Sequence, residues 1–203
     1  MSINLFAQPS HGIFLVGFLV YCWIRHDFER RGRAVASVHR YVDGAEKLLL
    51  AALFPAALLL PLVFLFTPWL RFADVSQPTW VNGIGVGAMF AGLWLFYRSH
   101  ADLGTNWSVL LEIKAGHVLV EHGVYRRVRH PMYAAVWLFS GAQGLLLHNW
   151  LAGWAVIVPF GLLYLVRVPR EERMLVEHFG DAYRTYMART GRLWPRRSAR
   201  SPR

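Results

Sequence analysis

Lysine and cysteine are almost missing from this chain, with two Lys and one Cys in 203 residues. A single cysteine, Cys22, excludes an intrachain disulfide and any multi-cysteine metal site. The histidines are scattered without a repeated metal spacing, so no metal is assigned. No G-x-S-x-G nucleophile motif occurs. "GIGVG" at Gly83–Gly87 has no strand before it and lies in an apolar run, so it is not a dinucleotide loop. Charge is also scarce, at 17% against 55% hydrophobic residues, a balance that excludes an ordinary soluble domain. No Arg or Lys precedes Arg25, and no small-residue cleavage site follows the first apolar stretch. That stretch is therefore read as a retained first helix, not a cleaved signal peptide.

What the chain has is five apolar stretches: from about Ile3 or His11 to Ile24, Leu48 to Leu70, Trp80 to Tyr97, Tyr133 to Leu147 and Trp150 to Val166. Spanning a bilayer takes about 20 residues. The second and third reach that length comfortably. The fourth is short and, with only His148 and Asn149 before the fifth, forms one arm of a helical hairpin. With the N-terminus outside, 21 of the 22 Lys and Arg fall on the cytoplasmic side, and only Arg71 lies opposite. This is the positive-inside bias. It accounts for the net charge of +10 without nucleic acid as a partner. The expected fold class is all-α: an integral membrane bundle of about five transmembrane helices. Its divisions are three helices in 1–100, a region with the chemistry in 101–195, and a basic tail in 196–203. Gly83, Gly87 and Ala91 recur every fourth residue and predict a face for close helix packing. Pro55, Pro61 and Pro68 predict a kink or an early end in the second helix. Leu175, Phe179, Ala182, Tyr183 and Tyr186 share a stripe, giving a C-terminal amphipathic helix that Gly180 weakens.

Two clusters on the cytoplasmic side carry chemistry. In "HVLVEHGVYRRVRHPMY" (His117–Tyr133), Pro131 biases His130 away from the α region and starts the fourth helix. The first-turn N–H groups around Met132 and Tyr133 are then available to an anion. Arg126 and Arg127 read as a lipid-facing basic belt. Arg129 lies between the two roles and is assigned to neither. In "RVPREERMLVEHFG" (Arg167–Gly180), spacing leaves two readings. Pro169 starts a new helix with acids in its first turn, or one helix continues through Pro169 and sets Arg167 and Glu171 on one face. Arginine there grips a carboxylate bidentately, and Glu171 meets an ammonium or ribose hydroxyls.

"HVLVEHGVYRRVRHPMY", then an apolar hairpin, then "RVPREERMLVEHFGDAYRTYMARTGRLWP" resembles the C-terminal half of the isoprenylcysteine carboxyl methyltransferase family. A wider group with phospholipid methyltransferases is similar in the same region, roughly Gly104 to Pro195. The resemblance implies a helical membrane bundle with a cytoplasmic cofactor pocket and S-adenosylmethionine as methyl donor. It implies that His117, Val118, Leu119, Val120, Tyr125, His130, Pro131, Met132 and Tyr133 line that pocket, together with Glu171. It puts Arg167 where the family holds its substrate, which favours the continuous-helix reading. The sequence departs from the family in two places. Ala134 and Ala135 follow the motif tyrosine where a glycine is common. An upstream cofactor-contacting glutamine has no counterpart in "SVLLEIK" (Ser108–Lys114), leaving Glu112 or a backbone group.

The resulting expectation is methyl transfer to a lipid-borne or prenylated acceptor drawn from the bilayer, with carboxyl O-methylation favoured. Arg167, Glu171 and Glu172 are the catalytic candidates. An amine acceptor, as in phospholipid N-methylation, needs a base, for which Glu172 or His130 is the candidate. An NADPH-dependent sterol-reductase-like enzyme and a non-catalytic membrane protein are the alternatives from other classes.

Overall fold

The computed structural model describes residues 4–32, 37–40, 44–108 and 112–196. Residues 197–203 of the basic tail, Arg33 of the first basic loop and residues 109–111 of the "SVLLEIK" segment lie outside the described residues. The helices are α1 (Pro9–Gly32), α2 (Gly44–Phe54), α3 (Leu60–Phe66), α4 (Trp80–Leu103), α5 (Pro131–Leu147), α6 (Trp150–Trp154), α7 (Ile157–Phe179) and α8 (Asp181–Arg189). Two short strands, β1 (Ser37–Arg40) and β2 (Glu112–Lys114), pair antiparallel with a bulge. This mostly helical frame, with one short strand pair, agrees with the all-α fold class read from the sequence.

Among the described residues, three helical stretches are long and apolar enough to cross a membrane: Glu46–Phe66, Trp80–Asn106 and Trp150–Phe179. That is fewer than the five expected. α1 is 24 residues long, but its last two turns carry Arg25, Asp27, Glu29, Arg30 and Arg31. α5 is apolar but only 17 residues long.

The prolines of the second stretch act differently from a simple break. Helix α2 passes into a π-helical turn over Pro55–Leu59, closed by Leu60 N–H donating to Pro55 O, and continues as α3. The wider turn absorbs the N–H that proline lacks. The helix stops at Phe66, with Thr67 extended before Pro68, the conformation a following proline favours.

The small-residue stripe is also corrected. Added Cβ atoms at Gly83 and Gly87 would meet nothing within 4 Å among the described residues, so these two glycines do not mark a close helix contact. Close packing against α5 runs instead through Gly85, beside Leu145 and Leu146, and Gly92, where an added Cβ would come within 3.2 Å of Ala135 O and Phe139 N. Burial decides the face: Val81, Gly85, Met89, Gly92 and Phe96 point inward. The core they join holds Phe14, Phe18, Phe64, Leu65, Phe139 and Leu146. Fully burying side chains of this size stabilises by about 1.5–3 kcal/mol each in water; in lipid the same contacts act through packing.

At one end of the bundle the hairpin turn between α5 and α6 is built from polar bonds. His148 is left-handed (φ 51°), and Asn149 accepts from Ala152 N and donates to Leu70 O and Asp74 Oδ1. Arg71 belongs to this end, donating to Asn4 Oδ1 at 3.0 Å. At the other end the β1–β2 pair ties the α1–α2 connection to the segment after α4. Lys114 Nζ donates to Gly32 O (2.8 Å) and Trp107 O (2.5 Å), satisfying a carbonyl at the end of α1.

Candidate active site

Helix α7 runs unbroken through Pro169, which stands inside it. Arg167 and Glu171 therefore sit one turn apart on one face, and both line a cavity of about 220 Å³. Of the two readings that spacing left open, the chain adopts the continuous helix. Gly180 (φ 58°) then divides α7 from α8, and no residue with a Cβ takes that φ and ψ of −129° easily.

The other wall comes from the start of α5. His130 is non-helical (φ −123°, ψ 57°) and Pro131 occupies the first helical position. The imidazole of His130, 3% exposed, lies between two carboxylates: Nδ1 is 3.9 Å from Glu171 Oε1 and Nε2 is 3.3 Å from Glu172 Oε1. The hydroxyl of Tyr133 donates to Glu171 Oε2 at 2.9 Å. His130, Met132 and Tyr133 line the cavity; Pro131, which turns the chain into the helix, does not.

His117, Val118, Leu119, Val120 and Tyr125 also line the cavity. The 117–120 segment is irregular and unpaired with either strand, and the Asn106 side chain bonds both N–H and C=O of Val118. His117 packs edge-on against His178 and at an angle on Phe179; burial pushes its pKa below the ordinary value, helped by His178 and Lys114. The Tyr125 hydroxyl donates to Ser99 O at 3.2 Å, and burial pushes its pKa well up, so its ring is what the cavity meets. Gly123 (φ 57°) makes the preceding turn. A Cβ there would collide with the Asp102 carboxylate, which accepts Val124 N–H. Glu112 also lines the cavity and accepts from Ser108 Oγ at 2.6 Å.

Glu172 does not line the cavity. It is 5% exposed and accepts from Arg129 Nε (3.1 Å) and from Arg192 Nη2 (2.6 Å). Arg129, left unassigned by sequence, is the hub of this cluster: its Nη1 also donates to Met187 O (3.0 Å) and Thr190 O at the end of α8. Backbone bonds from Arg129 N to Gly191 O and from His130 N to Arg192 O run beside it. The segment after α8 is thus clasped to the His130 turn, and Tyr186 of α8 donates to Tyr125 O at 2.7 Å.

Sequence reasoning missed the contributions of α1 and α2. Arg25, Leu50 and Leu53 line the cavity, and Glu46, wholly buried, pairs with Arg167 (Oε1 to Nη1, 3.1 Å). The available signal was a lone acid opening an apolar helix, with leucines four and seven residues on. Apolar wall comes also from Val136, Phe160 and Leu163.

Residues 85–177 match the sequence model of the isoprenylcysteine carboxyl methyltransferase family. Protein-S-isoprenylcysteine O-methyltransferase A of Arabidopsis thaliana is 29% identical over 152 residues, covering 71% of this chain and 77% of that protein. The enzyme of that name from Tribolium castaneum is 30% identical over 122 residues, 59% of this chain and 43% of its own. A solved eukaryotic intramembrane Ras methyltransferase of the same family superposes with a TM-score of 0.54 at 24% identity. The superposition covers 76% of this chain and 54% of that one, so this chain spans about half of that protein's length and shares its fold. The match begins inside α4, upstream of the motifs singled out from sequence, and runs through the Arg167–Glu171 face. The chain is thus similar to the isoprenylcysteine carboxyl methyltransferase family over residues 85–177, just under half of its length.

Proposed function

We propose that this membrane protein methylates the carboxylate of a prenylated cysteine, using S-adenosylmethionine and acting at the cytoplasmic face with its N-terminus outside. The observation that carries the reading is that Arg167 and Glu171, one turn apart, open into one cavity with His117–Val120 and Tyr133, beside an apolar wall. The names of the relatives supply the acceptor class. The charge bias supports the orientation.

The residues suit the donor. Glu171 is an acceptor-only carboxylate with one oxygen held by Tyr133, fit to receive an ammonium or ribose hydroxyls. Val118, Leu119, Val120 and the Tyr125 ring offer largely apolar surface. His117, neutral through burial, places no positive charge against a cationic ligand. S-adenosylmethionine supplies a methyl on a positively charged sulfur, and its transfer to a carboxylate oxygen leaves a neutral thioether and a neutral ester.

No proton moves in such a transfer, so the chain needs no general base. Its work is orientation and exclusion of water. Arg167 holds the acceptor carboxylate, Leu50, Leu53 and Leu163 receive apolar chain, and Glu171 with Tyr133 fixes the donor. An amine acceptor would need a base: Glu172 is held by Arg129 and Arg192 and does not line the cavity, while His130 does, so the preference for the carboxylate rests on the names of the relatives.

The test is incubation of the purified protein in lipid nanodiscs with methyl-labelled S-adenosylmethionine and a small S-farnesylated cysteine. A base-labile methyl ester is expected with the free carboxylate and none with its carboxamide. Saturable binding of NADPH without binding of S-adenosylmethionine would point to the reductase reading instead.

A further inference from the structure

Glu46 stands in the first turn of α2, wholly buried, with Oε1 3.1 Å from Nη1 of Arg167. The guanidinium given the task of holding the acceptor thus already lies on a carboxylate of the chain. The same helix presents Leu50 and Leu53 to the cavity wall. One helix therefore brings an acid to the arginine and apolar side chains to the space beside it.

The charge count of the reaction gives this pairing a role. A guanidinium has five N–H donors in a planar fork and can serve two carboxylates at once. A buried arginine with no counter-ion would hold an incoming carboxylate tightly. That grip would fall on the ground state, because the acceptor's charge disappears as the ester forms, and interactions stronger before the transition state than in it slow the reaction. Loss of that charge would also leave the arginine buried and bare, which is costly. A resident carboxylate removes both problems.

We infer that Glu46 is a positioning residue: as resting counter-ion of Arg167, it sets how strongly that arginine holds the acceptor carboxylate and keeps it neutralised once the ester has formed. The inference rests on the proposed methylation of a carboxylate.

The test compares the wild type with Glu46→Gln, which keeps the shape and removes the charge, and Glu46→Asp, which keeps the charge. Using S-farnesylcysteine as acceptor, Glu46→Gln should lower KM by at least about fivefold and lower kcat as well, because the carboxylate paired with the arginine no longer competes with the ligand for its charge. Glu46→Asp should return KM toward the wild-type value, and Kd for S-adenosylmethionine should stay unchanged in both. Thermal unfolding gives a reading independent of turnover. S-farnesylcysteine should raise Tm more in Glu46→Gln than in the wild type, while its carboxamide should raise both equally. If Glu46→Gln folds only with ligand present, the carboxylate should rescue it and the carboxamide should not. An unchanged or raised KM in Glu46→Gln, or equal Tm rises with the carboxylate, overturns the inference. A wild type that forms no ester overturns the proposed function instead, and the Tm comparison still decides the pairing of Glu46 with ligand charge.

Discussion

The hydroxyl of Tyr133 and the carboxylate of Glu171 meet across the gap between α5 and α7, Oη to Oε2 at 2.9 Å. Tyr133, two residues after the helix-starting Pro131, thereby aims the acid one turn beyond Arg167. A hydrogen bond to a charged group contributes about 1.5–3 kcal/mol, so Tyr133→Phe should weaken S-adenosylmethionine binding by about tenfold or more. Calorimetric titration checks this, with Tm of the unliganded protein expected to change little. Equal affinity would remove Glu171 from the donor site as drawn.

Glu172 behaves as a structural acid. Its neighbours Arg129 (side chain 9% exposed) and Arg192 lose their counter-charge if it is removed. Glu172→Ala should cost about 3–5 kcal/mol, the range for breaking a buried ion pair. It should also release the segment after α8, so that proteolysis near Arg192 accelerates. Measuring Tm and trypsin cleavage together checks both effects. A variant as stable as the wild type but inactive would return Glu172 to the chemistry.

His117 gives a pH dependence whose sign follows from its surroundings. Burial first, then the charges of His178 and Lys114, hold its pKa below the ordinary 6.5. The folded chain keeps the imidazole neutral, so its stabilising contribution is complete above pH 6.5 and is lost as pH falls through the lower folded value. Unfolding curves from neutral pH downward should show wild-type Tm falling more steeply than that of His117→Gln. Parallel curves would contradict the assignment.

Much of this was legible in the sequence because local chemistry decides it. The apolar runs, the one-sided arginines, Pro131 opening α5 and Gly180 ending α7 each follow from nearest neighbours. Other features depend on which face turns inward, which a single helix does not state. Gly83, Gly87 and Ala91 have the spacing of a packing face, yet Gly85 and Gly92 carry the contact with α5. Glu46 and Arg167 lie far apart in the chain and meet because α2 packs on α7. Glu171 and Glu172 are adjacent in sequence and differ in role, because successive helical residues point about 100° apart. One faces the cavity, and the other faces Arg129.

The central claim, that α7 presents a paired acceptor and donor grip, is tested most directly by labelled-methyl transfer to S-farnesylcysteine in wild type, Arg167→Ala and Glu171→Ala, side by side. Misplacement of a reacting group by about 1 Å can cost 100-fold, and losses of at least that order are predicted for both variants, with folded, monodisperse protein in each. Arg167→Ala should raise KM for the acceptor, and Glu171→Ala should raise it for the donor. Ester formation at the wild-type rate in both variants, or none in the wild type, would contradict the account.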